Sequence, residues 1–425
     1  MAGKLTKIAN RIVNYPERRR IRKLLAHPPE VRKNSIVFTS TEDFSDNPRA
    51  LYEYMTENGY NEKYEITWLF EFEENYRDLG TPNVRSVKMF NKRHQRTAES
   101  YEAILSAEFV FFSHNVNWAK VFRPEQTFVE LWHGCGYKGR QPGETRVIQF
   151  DRCVTTGPKY AKELTTHYLC SEDKLVALGY PRNDWFHTDK TNAAGFAERI
   201  KEKTGAKKLI IWMPTFRKSR VERLTTATSV GETGLPLMDS ADDLKKLDAY
   251  CKENGAALAV KTHVLDADSS AVFNGLSNII HIDNAQLKEN NVNLYEFLAK
   301  TDALLTDYSS VAIDYLLLDK PMGFILSDFD EYDKVRGWCY DNVRAYMPGE
   351  HIYTEDELRS FIKGVSSGED GYKEARAEVL PELQTVSDSY SRDILRYFGI
   401  EKKLKAEGKN ATDPGNAFGH AQRDR

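Results

Sequence analysis

The chain predicts an α/β protein of two domains, each a parallel sheet with helices on both faces. Three observations carry that prediction. From about residue 34, short apolar runs alternate with longer mixed stretches, the signature of repeated strand–helix units. The connections between them are short. The unusual polar residues fall just past the ends of the apolar runs, at the carboxyl edge where open α/β sheets bind ligands. A boundary near residue 186 splits the chain into units 34–186 and 187–400, flanked by 1–33 and 401–425.

Composition sets the outer limits. A chain of 425 residues, 40% hydrophobic and 12% aromatic, has room for two substantial cores. A formal charge of -3 gives no global field of the kind that marks a nucleic-acid binder. The five cysteines are scattered with no C-x-x-C spacing, which argues for a reducing compartment and against a disulfide framework or a zinc site. No secretory leader is expected, because residues 1–33 lack an apolar core segment, and no run approaches the ~20 apolar residues that a membrane span requires. A cytoplasmic protein is expected.

Residues 1–33 carry Lys4, Lys7, Arg11, Arg18, Arg19, Arg20, Arg22, Lys23, Arg32 and Lys33 against Glu17 and Glu30, with Leu5, Ile8, Ile12 and Val13 at helical spacing. Two readings stand: a basic amphipathic helix on an anionic membrane surface, or a solvated helix packed on the domain that follows. Strands are then expected at Ser35–Ser40, Tyr64–Phe70, Ser86–Phe90, Ala107–Ser113, Thr127–Trp132, Arg152–Thr156 and Leu175–Leu178. Helices are expected at Ala50–Asn58 and Arg93–Ser106. In the second unit a connecting helix covers 187–206, and strands follow at Lys208–Met213, Ala256–Val260, Ile279–Ile282 and Met322–Leu326, with a helix at Ala241–Asn254. Arg217–Asp239 has no period and reads as a long loop. The tail 401–425 is polar and expected to be disordered.

The stretch Thr301–Pro321 concentrates the chemistry. Ala303–Leu305 is a buried-strand run, Thr306-Asp307-Tyr308-Ser309-Ser310 a hydroxyl-rich turn, and Val311, Ile313 and Tyr315–Leu318 recur at helical spacing. Strand, turn and helix in that order aim backbone N–H groups at an anion such as a diphosphate. The same residue types also cap helices, and both readings stand on this segment alone. His133, Arg217 and His263 lie past other strand ends. Together with the turn they describe a cleft between domains that faces a phosphorylated ligand.

Trp132-His133-Gly134 with Lys138, Gly179-Tyr180-Pro181-Arg182-Asn183-Asp184, Pro214-Thr215-Phe216-Arg217, Thr306–Ser310 closing on Asp319-Lys320-Pro321, and Arg336-Gly337 occur in that order. Over roughly residues 110–345 this pattern resembles the CDP-glycerol glycerophosphotransferase family, whose members make or prime the polyol phosphate chains of teichoic acids and some capsules. Cys135 departs from the Thr or Ala expected after the His-Gly pair. The resemblance implies a GT-B-like fold, two Rossmann-like domains with parallel sheets facing each other across a cleft. It implies transfer of glycerol phosphate or ribitol phosphate from CDP-glycerol or CDP-ribitol to an acceptor hydroxyl of a lipid-linked or polymeric acceptor, with release of CMP. In that reading His133 is the base, and His263 is a second catalytic group on the phosphates. Arg217, Arg336, Arg182 and Lys261 bind the diphosphate with Thr306, Ser309 and Ser310. No cofactor or metal is implied. A nucleotide-sugar glycosyltransferase or epimerase of the same fold is the rival enzyme, and a non-catalytic surface-polymer binding module the rival of another class.

Plainer roles apply to several of these residues. Asp184 reads as a helix cap and Asp307 as a residue that orients its neighbours. Arg336 follows Asp328, Asp330, Glu331 and Asp333 and has local pairing open to it. His114 and His167 read as ordinary histidines, and Trp132 as core packing.

Overall fold

The structure, a computed structural model, describes residues 15–113, 116, 123–139, 149–168, 170–215, 231–261 and 270–401. Seven strands build the first domain: β1 Arg32–Ser40, β2 Glu65–Phe70, β3 Val84–Lys88, β4 Ala107–Ser113, β5 Thr127–Glu130, β6 Arg152–Thr155 and β7 Leu175–Ala177. All pair in parallel, in the order β3-β2-β1-β4-β5-β6-β7. Six more build the second: β8 Lys208–Met213, β9 Ala256–Lys261, β10 Ile279–Ile282, β11 Ala303–Thr306, β12 Met322–Ile325 and β13 Glu350–Ile352. These are also parallel, ordered β10-β9-β8-β11-β12-β13. In both sheets the order reverses beside the first strand, which opens a crevice at the carboxyl edge. The two-domain α/β expectation and the near-continuous apolar runs that predicted it agree with these sheets.

Covered strands need apolar side chains on both faces, and the sequence supplies them. In β1, β2 and β4, Phe38 stacks between Trp68 and Phe111 with ring centroids 5.5 Å apart in both pairs, and all three rings are fully buried. In the second sheet β9 (AALAVK) is buried along its whole length. Small side chains there let helices lie close on either face.

The chain does not respect a simple boundary at residue 186. After the helix Lys373–Leu383, residues 384–401 cross back onto the first domain. Thr385 donates its N–H to Thr156 O (2.7 Å) and its hydroxyl to Ala177 O (2.9 Å). Phe398 sits edge-on against Phe111, and Glu401 N donates to the Tyr64 hydroxyl. The helix Tyr390–Tyr397 has Ser389 at its N-cap, and Asp184 completes the capping by accepting from Tyr390 N and Ser391 N at 2.7 and 2.9 Å. Asp184 is therefore a cap, of a helix 206 residues away in sequence.

At the other end, the helix Tyr15–Ala26 packs on the helix Ala98–Ser106. Glu17 accepts from Ala98 N, and Arg20 pairs with Glu102 at 2.6 Å. Leu5, Ile8, Ile12 and Val13 lie outside the described residues.

Candidate active site

His133 stands three residues beyond β5, on a loop with unusual backbone geometry. Trp132 takes φ +53° and Gly134 φ +155°. Trp132 is held by two local bonds: its N–H donates to Glu130 Oε1 (2.9 Å) and its indole N–H to Gly134 O (2.8 Å). The buried indole thus lies 3.9 Å from the imidazole, centroid to centroid, while the imidazole itself is exposed. Three successive carbonyls of the loop receive side-chain donors. Asn47 Nδ2 serves Leu131 O (3.0 Å) and Trp132 O (2.9 Å), and Arg182 Nη1 serves His133 O (2.8 Å).

Across the domain interface the turn after β11 is built around Asp307. Its buried carboxylate accepts from Thr215 N and Oγ1 and from Tyr308 N, at 2.5–3.0 Å, so it orients neighbouring chain. Thr306 is fully buried, and its hydroxyl donates to Met213 O (2.7 Å). That bond joins β11 to β8 at the crevice. Ser309 and Ser310 are half-buried, and neither hydroxyl has a hydrogen-bond partner among the described residues. The α-helix that follows is shorter than the apolar spacing predicts. Val311–Tyr315 is helical, Leu316–Leu318 tightens to a 3-10 turn, and Asp319 ends it at φ +46°. A five-residue helix has few aligned peptides, so any anion here is held by hydroxyls and local N–H groups more than by a macrodipole.

The two edges meet at Gly134. A Cβ there would lie 2.6 Å from Ser310 Oγ and 3.1 Å from Ser310 Cβ, and one on Gly136 would lie 3.4 Å from Ser310 Cβ. Only glycine admits this approach, and it sets His133 beside the serine turn. A short antiparallel ribbon adds Arg336. Gly139 N donates to Gly337 O (2.8 Å), Cys339 N to Tyr137 O (2.9 Å), and Lys138 bridges Trp338. Arg336 makes no ion pair with Asp328, Asp330, Glu331, Asp333 or any other described residue, and its Nε is buried without a partner. The local-pairing alternative does not hold for it.

The remaining expected residues fall in different places. Lys261 ends β9 and is buried, 8% exposed. Its strand lies next to β8, which leads to Pro214 and Thr215. Arg217 and His263 lie outside the described residues, as does His114; of His167 only the backbone is described. Arg182 is expected among the diphosphate ligands, but its guanidinium is committed elsewhere. It is 7% exposed and pairs with Asp46 Oδ1 and Asp314 Oδ2, both at 2.6 Å, besides its bond to the His133 carbonyl. Asn47, Asp46 and Asp314 were not identified from sequence, because they lie more than 80 residues from the partners they hold.

Cys135, next to the histidine loop, is chemically quiet. Burial pushes its thiol up to about 12, and it sits 2.9 Å from the Tyr180 hydroxyl. Among the described residues no group of three or more His, Cys, Asp and Glu side chains is placed to hold a metal ion.

Comparison with known proteins places this geometry. Residues 21–396 match the family described as CDP-Glycerol:Poly(glycerophosphate) glycerophosphotransferase. A teichoic acid poly(glycerol phosphate) polymerase of Staphylococcus epidermidis is 27% identical over 81% of this chain and 47% of its own length. A teichoic acid glycerol-phosphate transferase of Staphylococcus aureus is 25% identical over 86% of this chain and 92% of its own. The chain thus spans about half the length of the polymerase and nearly all of the transferase. The solved wall teichoic acid polymerase TagF superimposes with a TM-score of 0.68 at 23% identity, over 94% of this chain and 98% of that one. At that identity the superposition speaks to fold.

Proposed function

This chain belongs to the CDP-glycerol:poly(glycerophosphate) glycerophosphotransferase family, and we propose that it transfers a polyol phosphate from CDP-glycerol or CDP-ribitol to an acceptor hydroxyl in teichoic acid synthesis. One observation carries the reading: the Gly134–Ser310 contact, which brings the loop of an exposed histidine against a serine turn whose two hydroxyls have no hydrogen-bond partner among the described residues.

The step balances simply. The acceptor oxygen attacks the phosphorus that bears the polyol, a new P–O bond forms, and the anhydride bond to CMP breaks. The alcohol's proton passes to His133. Histidine is the side-chain type best suited to take a proton near neutral pH. Ser309 and Ser310 donate to the diphosphate, and Arg336 offsets the charge that grows on departing CMP. Thr306 and Lys261 shape the same edge, and His263 and Arg217 are assigned to the phosphates. With these donors the reaction is written without a metal. Arg182 is assigned to positioning.

The acceptor is taken to be lipid-linked or polymeric, and the chain to work on the inner face of the plasma membrane. Supporting this, the helix Tyr15–Ala26 uses Glu17 and Arg20 to dock and leaves Arg18, Arg19, Arg22 and Lys23 exposed. No helix among the described residues is long and apolar enough to cross a membrane. Binding to anionic vesicles is expected to weaken as salt rises; salt-insensitive or absent binding contradicts it.

The function is tested by offering CDP-glycerol, CDP-ribitol and UDP- and GDP-sugars with a lipid-linked acceptor, then following free nucleotide and product mass. CMP release with an acceptor gain of one polyol phosphate is expected. Turnover of a UDP- or GDP-sugar points to the glycosyltransferase or epimerase reading. Polymer binding with no turnover points to a binding module.

A further inference from the structure

We propose that Arg182 and Asp314 form a latch between the domains that sets the position of the His133 peptide relative to the serine turn, making both positioning residues. The inference rests on the transferase reading for its kinetic consequence, while its structural part stands on the contacts themselves.

Arg182 leaves the first domain just after Pro181 and ends between the two lobes. On the first-domain side Nη1 reaches Asp46 Oδ1 and the His133 carbonyl, and Arg182 N donates to Asn47 Oδ1 at 3.3 Å. On the second-domain side Nη2 reaches Asp314 Oδ2, which also accepts from the Tyr295 hydroxyl at 2.7 Å. The Tyr180 and Tyr295 rings flank the guanidinium at 5.1 and 5.2 Å.

Asp314 sits four residues after Ser310, one turn further along the same helical segment. Arg182 Nη2 lies 3.7 Å from the position a Cβ on Gly134 would occupy, in contact range of the glycine that Ser310 abuts. One rigid planar group therefore holds the carbonyl of His133 and the helix of Ser310 together. A guanidinium suits the task because its donors point in fixed directions toward several acceptors at once. Asn47 holds the two preceding carbonyls, so the latch acts on a loop already fixed on its other side.

Misplacing a catalytic group by about 1 Å can cost on the order of 10²-fold in turnover. Ground-state binding of the donor does not require that alignment.

The test compares wild type, Asp314→Asn and Arg182→Lys. It reads steady-state CMP release, amide exchange by mass spectrometry and thermal melting. Asparagine keeps the shape and the acceptor for Tyr295 but loses the charge, and lysine keeps the charge but loses the fork. Both variants are expected to lose about 10²-fold in kcat with donor KM changed by less than about threefold. Exchange should rise at 131–139 and 309–315 and stay unchanged in β1 and β4. Turnover within about twofold of wild type overturns the proposal, and so does unchanged exchange at the two segments. A general rise in exchange with collapse of the melting transition also overturns it, because the pair would then be a structural ion pair and no more. If wild type releases no CMP from either donor, the transferase reading fails. The exchange measurement then decides the latch alone.

Discussion

The histidine loop after β5 is held by side chains from elsewhere: Asn47, Arg182 and, through Arg182, Asp314 of the opposite domain. The serine turn after β11 is itself held within its own domain, by Asp307 on Thr215 and by Thr306 on Met213, and the latch reaches it only one helical turn later, at Asp314. The first edge presents one titratable ring on a loop whose own carbonyl is bonded by the arginine that crosses to the other domain. The second presents uncharged hydroxyls on a backbone pinned from within. A group that must move a proton needs placement relative to its partner across the cleft, whereas a seat for phosphates needs only its own shape. The anchoring of the two edges follows that division of work.

Substitutions at the two edges separate these roles. The largest effect is expected at His133. His133→Ala should lower CMP release by about 10²–10⁴-fold with CDP affinity retained, since the ring contributes chemistry and not the seat. Unchanged turnover removes His133 from the mechanism. Arg336→Ala comes next, lowering kcat by roughly 10–100-fold with a smaller change in donor KM, the size of losing a charge-assisted hydrogen bond of about 1.5–3 kcal/mol to charge that grows in the transition state. A rise in donor KM with kcat unchanged would make Arg336 a ground-state donor ligand only. Ser309→Ala and Ser310→Ala should each raise donor KM about tenfold, near ~1.5 kcal/mol, the low end for a hydrogen bond to a charged acceptor. An effect at His133 size from either serine would erase the proposed difference between the edges.

Much of this architecture was legible in the sequence. The boundaries of β4, β8 and β10 coincide with mainly apolar runs, most clearly in β8, whose four central residues are buried on both faces. β13, Glu350–Ile352, was not expected: three residues including Glu350 and His351 carry no such run. Thr306–Ser310 was found because strand, turn and helix follow one another along the chain. The extent of its helix was overestimated, since leucines at Leu316–Leu318 serve a 3-10 turn as well as an α-helix.

Long-range partners were not legible. Arg182 looks like any arginine in a turn until Asp46 and Asp314, 136 and 132 residues away, close on it. The return of residues 384–401 to the first domain is likewise a matter of which surface is uncovered, not of local pattern. Asp307 was read as orienting its neighbours, and its bonds to Thr215 and Tyr308 do that.

In this mechanism one crevice holds both the imidazole and the phosphates. A crystal structure of the unaltered chain with CDP bound tests it most directly. The account predicts the terminal phosphate against Ser309 and Ser310, with its outer face turned toward His133 and Arg336 within ion-pairing reach. A diphosphate seated away from the serine turn, or one shielded from His133 by the protein, would contradict it.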